Sequence, residues 1–592
     1  MSAVLPAGSS DTSPLREFFD ALTEQEGKFA AKLATDNLGL FLRAAINELD
    51  WYSYNFARAA EPTFDQQEQF YLMHLGITRL IKLTLESRPS FDVPTVLFRR
   101  DRSITIPVLE IAIGLGMIEH GRRVAQMAMT GLGKVERTGP IEYIVTLPPV
   151  LPDDEYYERA VAEHFYAIAR EDFEELLHSE IGRDMAADVE RLLTELVHPF
   201  MDHFIGYDAH PTLDTYFFGV ASHLLRMKEG YDAFHFAVSF GGVPFQTYML
   251  GLTFLMSLAV RHERFAEALV KKVPGIRLEN VLTVSAETAP FLDDMLAAIN
   301  FFGSLFDDYE DATPEQVRTV FEVLSVGREN TKFLDRPGSP LPPMIRCSDN
   351  DFIRCQSAVL ANPIQYLLDS LRHHFPGEYD QNQRTREQSM QRAVRRVLDD
   401  VIPGLEYRDN VHLRKGGRTL TDIDVVALEP ATGTAVLIQL KHQDIYGMDI
   451  HSGHLRGRRL REQSERWLGA VADWTQSADG SEIRATLRVG ADFPKVETFR
   501  VIVTRHFAHP LGGVTQAPDV AFANWNQFYN ATLQARHRHE RPTLADLVTL
   551  LREGERPGGP MQHEPEPRSE WNIDELRFTI RQEVAASESP ER

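Results

Sequence analysis

The chain has 592 residues, 43% of them apolar and 25% charged, and its 86 acids against 62 lysines and arginines give a net charge of −24. That length exceeds one ordinary domain and is ample for buried cores, and the composition is that of a folded soluble protein. The acidic balance excludes a general nucleic-acid coat, because phosphate affinity comes from cationic contacts, so any nucleic-acid site has to be a local basic patch.

Two cysteines, Cys347 and Cys355, exclude a disulfide scaffold and fit a cytoplasmic location, with a single bridge between them left open. No Cys-x-x-Cys pair is present for zinc. The first ten residues lack the basic start and apolar run of a secretory leader; residues 1–13 read as a disordered lead-in. Residues 233–260 contain no Asp, Glu, Lys or Arg, long enough to span a bilayer. They are interrupted by Gly241, Gly242, Val243 and Pro244 and carry His235, Ser239, Gln246 and Thr247. Two buried helices joined at that break are the better reading, so no membrane is expected.

Residues 14–90 read as helices, since Phe18, Leu22, Phe29, Leu33, Leu40, Phe41, Ile46 and Leu49 recur at near-helical spacing. Residues 104–131 read as two helices broken near Gly114 and Gly116, followed by a hairpin over 133–147. Helix, helix and hairpin outline a winged helix with Arg122 and Arg123 on its second helix; a plain helical domain with a surface hairpin is the favoured alternative for 14–150. Residues 151–378 read as a second helical domain, with amphipathic stretches over 156–177 and 185–204. Its His164, His178, His198, His203 and His223 form no His-Glu-x-x-His motif. Four prolines within 334–344 impose an extended linker or arm. Helix resumes over 362–374 and stops at Pro376 and Gly377.

Residues 379–552 change character. The order is helix (385–398), three strands (407–413, 422–428 and 435–442), helix (455–475) and strand (498–504), which suits an α/β or α+β core. From 553 to 592 the chain turns polar and proline-rich and reads as a largely disordered tail, with a short final element over 571–583.

Chemistry concentrates on two of those strands. Asp424 sits in the otherwise apolar run Ile423, Val425, Val426; Gln439 and Lys441 end the run Val436, Leu437, Ile438. Residues two apart share a face of a strand, so Gln439 and Lys441 point one way while Val436, Ile438 and Leu440 point into a core. Asp422 shares the face of Asp424 by the same alternation, and closing the turn after Gly416 and Gly417 is its other role. On the first helix Glu387 shares a face with Met390 and Val394. If those two pack onto the sheet, Glu387 faces inward; a solvated helix acid is the alternative.

An acid, then Gln-x-Lys, in the order helix, hairpin, strand, basic helix, strand, resembles the PD-(D/E)XK nuclease superfamily, and within it the Mrr-like restriction endonucleases, where Gln replaces the usual acid. The resemblance covers residues 380–510. It implies a multidomain protein with a large, mostly helical N-terminal region and a C-terminal α/β nuclease core, acting as a Mg²⁺-dependent (or Mn²⁺-dependent) DNA endonuclease in bacterial restriction or phage defence. Asp424 is then the principal metal ligand, helped by the Gln439 carbonyl and Glu387, with Asp422 as a further candidate. Lys441 orients the attacking water and stabilises charge on the phosphate. Between Leu455 and Trp467 five arginines meet two acids; Arg456, Arg458, Arg459 and Arg461, with Arg414 and Lys415 of the hairpin, are the candidate DNA contacts. The helical region would recognise DNA, a protein partner or a signal, and a homodimer is open. The competing readings are a nuclease fold kept as an inactive scaffold or binding protein, and a DNA-binding regulator built around residues 104–147.

Overall fold

The computed structural model describes residues 13–582 apart from 34–36, 60–62, 95–98, 148–179, 230–232, 336–337, 362, 444–449, 491–492, 494–495, 512–513, 516 and 554–567. The expected lead-in lies outside these except for Ser13, and so do the helix over 156–177, His164 and His178.

Four helices build the first core: α1 (Pro14–Lys32), α2 (Leu38–Arg58), α3 (Phe64–Ser87) and α4 (Arg102–Met129). Their starts are written in the sequence, since Ser13, Thr63 and Asp101 each accept a main-chain N–H of the first turn. Phe18, Leu22, Leu42, Ile77, Leu115 and Ile118 fill the interior. The expected break near Gly114 and Gly116 is absent, and α4 is continuous. Its glycines are contact points: a Cβ on Gly116 would collide with the main chain of Leu72, and one on Gly76 with the carbonyl of Ala112. The α3 and α4 backbones therefore touch. Arg122 is tied to Glu26 and Glu119, and Arg123 is buried against Tyr71, so the two helices and basic pair of the winged-helix outline are missing. Among the described residues α4 alone is long and apolar enough to cross a membrane, by length and composition; here it packs against α1, α2 and α3.

The hairpin of β1 (Lys134–Gly139) and β2 (Glu142–Leu147) follows as expected. Then come α5 (Glu180–Leu196), the hairpin β3 (Val197–Phe200) and β4 (Phe204–Tyr207), and α6 (Pro211–Glu229); the helix expected over 185–204 thus ends eight residues early. Across 233–260 there is one helix, not two. Residues before Gly241 form β5 (Ser239–Phe240), which turns through Gly241 (φ 58°) and Gly242 (φ 75°) into β6 (Val243–Pro244). Those left-handed angles suit glycine. The long α7 (Phe245–Lys272) starts at once, and its Tyr248, Leu252, Leu255 and Met256 are buried, which accounts for the missing charge.

A small sheet in the order β7-β10-β9-β8 is built from β7 (Val284–Glu287), β8 (Ser325–Val326), β9 (Met344–Arg346) and β10 (Asp351–Arg354), with α8 (Thr288–Gly303) and α9 (Pro314–Val323) between the first two. The proline arm leads into β9 with Leu341 buried. Arg346 faces Phe352 and Met344 faces Arg354, so Cys347 and Cys355 sit beyond opposite ends of the β9–β10 ladder as free, buried thiols. The open question of a bridge is settled by that geometry. Three short helices follow: α10 (Gln356–Ala361), α11 (Pro363–His374) and α12 (Pro376–Gln381).

The C-terminal sheet has five strands in the order β11-β12-β13-β14-β15. It starts with α13 (Gln383–Val401), then β11 (Glu406–Lys415), β12 (Arg418–Glu429) and β13 (Thr434–Lys441), paired antiparallel. After α14 (Ile450–Ser477) and α15 (Gly480–Leu487), β14 (Glu497–Thr504) joins β13 in parallel, and β15 (Val520–Asn524) joins β14 in parallel. The expected helix-strand-strand-strand-helix-strand order is present. The sequence reading lacked β15 and the two helices after it, α16 (Trp525–Arg538) and α17 (Leu544–Glu553). Met390, Val394, Phe528 and Leu547 from α13, α16 and α17 cover one face. Leu460, Trp467, Val471 and Trp474 of α14 cover the other. A sheet buried on both sides reads as near-continuous apolar runs, which is why β13 is buried from Thr434 to Leu440.

The short final element expected over 571–583 is present as a hairpin. Outside 554–567 and 583–592 the tail forms β16 (Arg568–Ile573) and β17 (Leu576–Gln582). That hairpin joins the N-terminal one in the order β1-β2-β17-β16, with β17 parallel to β2.

Candidate active site

Near its middle the β11–β12 ladder keeps one register on both sides of a missing pair: Asp409 faces Val425, Val411 faces Ile423, and Asn410 and Asp424 are unpaired between them, while the register shifts nearer the turn, between Leu413 and Arg414. Asn410 is left-handed, φ 48°, a conformation Asn tolerates better than most residues. The sheet changes sides there. Tyr407 and Val425 belong to the α13 face, whereas Val411 and Ile423 belong to the α14 face. Plain alternation therefore fails, and the inference that Asp422 and Asp424 share a face fails with it. Asp422 is exposed, and its main-chain carbonyl accepts from Trp467 Nε1 at 2.9 Å.

At the same level β12 leaves β13, whose last paired residues are Val425 and Ile438. Asp424 bridges the opening with its side chain. Its Oδ2 accepts from Leu440 N at 2.6 Å and from Gln439 Nε2 at 2.5 Å. The carboxylate takes the place of the carbonyl a continued ladder would have offered. The Gln439 amide nitrogen faces the acid, and its carbonyl Oε1 is buried with no hydrogen-bond partner among the described residues, on a side chain only 5% exposed. A buried acceptor left open is costly and marks a place where a donor or cation would be stabilised.

Three charges reach Asp424. Burial raises its carboxyl to about 6, against the Leu440 N–H and Lys441, which favour the anion; Asp422 and Glu387 add repulsion. Lys441 is half-buried, and its ammonium is bonded to no described residue. Glu387 is exposed, while Met390 and Val394 pack on the sheet as expected. One turn further along α13, Gln391 donates its Nε2 to the Asp424 main-chain oxygen at 3.1 Å and to Asn410 Oδ1 at 3.3 Å. Gln391, Asn410 and Trp467 were missed by the sequence reading. The only signal for Gln391 was its spacing of four from Glu387.

Buried cations lie behind this point. Arg505 N donates to the Lys441 carbonyl at 2.9 Å. Burial and the neighbouring Arg386, Arg505 and His506 hold the His442 imidazole well below its ordinary range, so it is neutral. Arg386 stacks on Phe234 and Tyr379 and donates to the Tyr379 hydroxyl, which fixes the start of α13 against the helical region.

The candidate DNA contacts are less uniform. Arg459 and Arg414 are exposed. Arg458 lies 3.8 Å from Glu462, and Lys415 pairs with Asp473 at 2.9 Å. Arg461 donates to the Pro510 carbonyl at 3.0 Å, and Arg456 is half-buried.

The donors near Asp424 are oxygens: a carboxylate, an amide carbonyl and two exposed carboxylates whose charge it feels. That set fits a hard divalent ion. Among the described residues no three His, Cys, Asp or Glu side chains are grouped to hold a metal, so a dication here would keep much of its water, as Mg²⁺ does.

No family model, curated protein or solved structure matches the chain.

Proposed function

We infer that the C-terminal sheet is a metal-dependent phosphodiesterase of the PD-(D/E)XK type acting on DNA, with Asp424, Gln439 and Lys441 as its reactive group. The observation that carries this is the meeting, where β12 and β13 separate, of a half-buried carboxylate with an amide carbonyl and an ammonium that have no hydrogen-bond partner among the described residues. Asp424 and the Gln439 carbonyl would hold Mg²⁺ or Mn²⁺, with Glu387 or Asp422 reached through water. The ion would supply an activated water and charge neutralisation. Lys441 stabilises negative charge building on the phosphate in a partly dry site, where one fixed cation is worth far more than in bulk water. The exposed Arg459 and Arg414 are free to attract backbone phosphates. A role in bacterial restriction or phage defence and action as a homodimer follow from the family resemblance alone.

One observation favours the scaffold reading instead. Asp424 Oδ2 already holds two donors, so a carboxylate satisfied in this way needs no ion. Nicking of supercoiled plasmid with Mg²⁺ or Mn²⁺ separates the two. Wild-type nicking that disappears in both Asp424→Ala and Lys441→Ala supports the nuclease; equal activity in all three proteins means contamination or another site, and no activity with no Mn²⁺ bound supports the scaffold.

A further inference from the structure

Apolar side chains seldom stay in water as a group on a folded protein. At the end of α8 three of them do: Phe301 is 60% exposed, Leu305 71% and Phe306 47%. They fall within six residues of each other, and the chain that bears them is held firmly. The Asn300 amide accepts from Ala312 N at 2.8 Å and donates to the Ala312 carbonyl at 3.2 Å. Its Oδ1 also accepts from the Tyr309 hydroxyl at 2.9 Å. The Tyr309 ring lies against Gly303, where any Cβ would collide with it. Main-chain bonds from Leu305 to Phe302 and from Phe306 to Gly303 complete the turn. The three apolar groups are thus displayed on a pinned loop, with little ordering entropy left to lose on binding.

The surroundings state the sign of what fits. Residues 278–317 hold nine acids and no lysine or arginine. Asp307, Asp308, Glu310 and Asp311 follow Phe306 directly, are exposed, and enter no ion pair among the described residues. Phosphates and anionic lipid surfaces are repelled by such a rim. A second copy meeting the same patch would set these acids against each other.

We propose that this patch docks a cationic, amphipathic segment of a partner protein, whose apolar face covers Phe301, Leu305 and Phe306 and whose lysines or arginines meet the acids beside them. The apolar anchors supply most of the affinity, and the charges supply attraction and selectivity. The proposal stands apart from the nuclease reading, because it uses neither the C-terminal sheet nor any of its residues.

The test uses the full chain and a fluorescein-labelled synthetic amphipathic helix of lysine and leucine, followed by anisotropy at physiological ionic strength. Phe301→Ser, Leu305→Ser and Phe306→Ser combined is expected to weaken binding by about tenfold or more, with the circular dichroism of the folded chain unchanged. Asp307→Asn with Asp308→Asn is expected to weaken it less and to flatten its salt dependence. Four results overturn the proposal. The serine variant binds as the wild type does, which leaves only diffuse attraction to an acidic protein. A glutamate and leucine helix binds equally well. No binding occurs up to millimolar peptide. Light scattering finds a wild-type dimer that the serine variant dissolves, which makes a second copy the occupant.

Discussion

The Gln391 amide and the main chain of Asp424 are joined by a 3.1 Å hydrogen bond from helix to strand. It falls where Asp424 has no partner in β11, so a side chain does the work of the missing ladder. The same contact carries Glu387, one turn earlier, to within electrostatic reach of Asp424. Gln391 is therefore a positioning residue for both acids.

Gln391→Met keeps length and removes the donor. It is expected to cost about 1 kcal/mol of stability, the usual contribution of one hydrogen bond to a part-buried carbonyl, read by urea denaturation. It should also weaken Mn²⁺ binding relative to a control such as Arg392→Met, exposed on the same helix. Equal Mn²⁺ affinity in the two variants would leave Gln391 a purely structural contact.

Under the proposed function, proton and metal would compete for Asp424. With its carboxyl raised from the ordinary 3.8 to about 6 by burial, Mn²⁺ affinity should climb as pH rises from 5 to 7, with a midpoint near 6. The stability sign is opposite. The folded state holds the proton more tightly than the unfolded chain, so this group favours folding below pH 3.8, and that contribution is lost as pH rises through about 6. Asp424→Asn should abolish the pH step in metal binding, seen by calorimetry at several pH values.

Lys441→Ala should lower plasmid nicking by about a hundredfold or more, the scale of losing one fixed charge-stabilising donor, while leaving the melting temperature close to wild type because the ammonium has no bonded partner among the described residues. Lys441→Arg should rescue only part of the rate, since a planar guanidinium is not a compact ammonium.

His120 is half-buried between Tyr71 and Trp571, and desolvation and Arg123 lower it to about 3. The unfolded chain binds that proton near 6.5, so stability from a neutral His120 is full above 6.5 and declines as pH falls toward 3. His120→Gln should flatten the fall in stability between pH 6.5 and 4, measured by denaturant midpoints.

The hairpin of β16 and β17 belongs to the N-terminal core. Phe578 is 1% exposed and packs on Phe18 and the Trp571 ring. Phe578→Ala should cost about 3–5 kcal/mol, the usual range for a buried aromatic. Protease sensitivity of α1, followed by mass spectrometry, should rise with it.

Local signals in the chain were enough to place the elements near the candidate site. Local apolar runs and turn residues defined α13, β11, β12, β13, α14 and β14 to within a few residues at most ends, and they put Asp424, Gln439 and Lys441 on neighbouring strands. Alternation and helical spacing are local, so one chain is enough to read them. Tertiary structure alone decided the rest. The change of face at Asn410 and Asp424 depends on a left-handed residue and a missing ladder pair, and periodicity assumes neither. The buried carbonyl of Gln439 and the bond from Gln391 depend on how far α13 slides along the sheet. A glycine read as a helix break became a helix contact once α3 lay against α4. The final element expected over 571–583 joined the N-terminal hairpin because β2 offered an edge to it, with Glu142 beside Arg577. A contact between residues so far apart leaves no period in the sequence, and the free energy that forms it comes from burial shared between both ends.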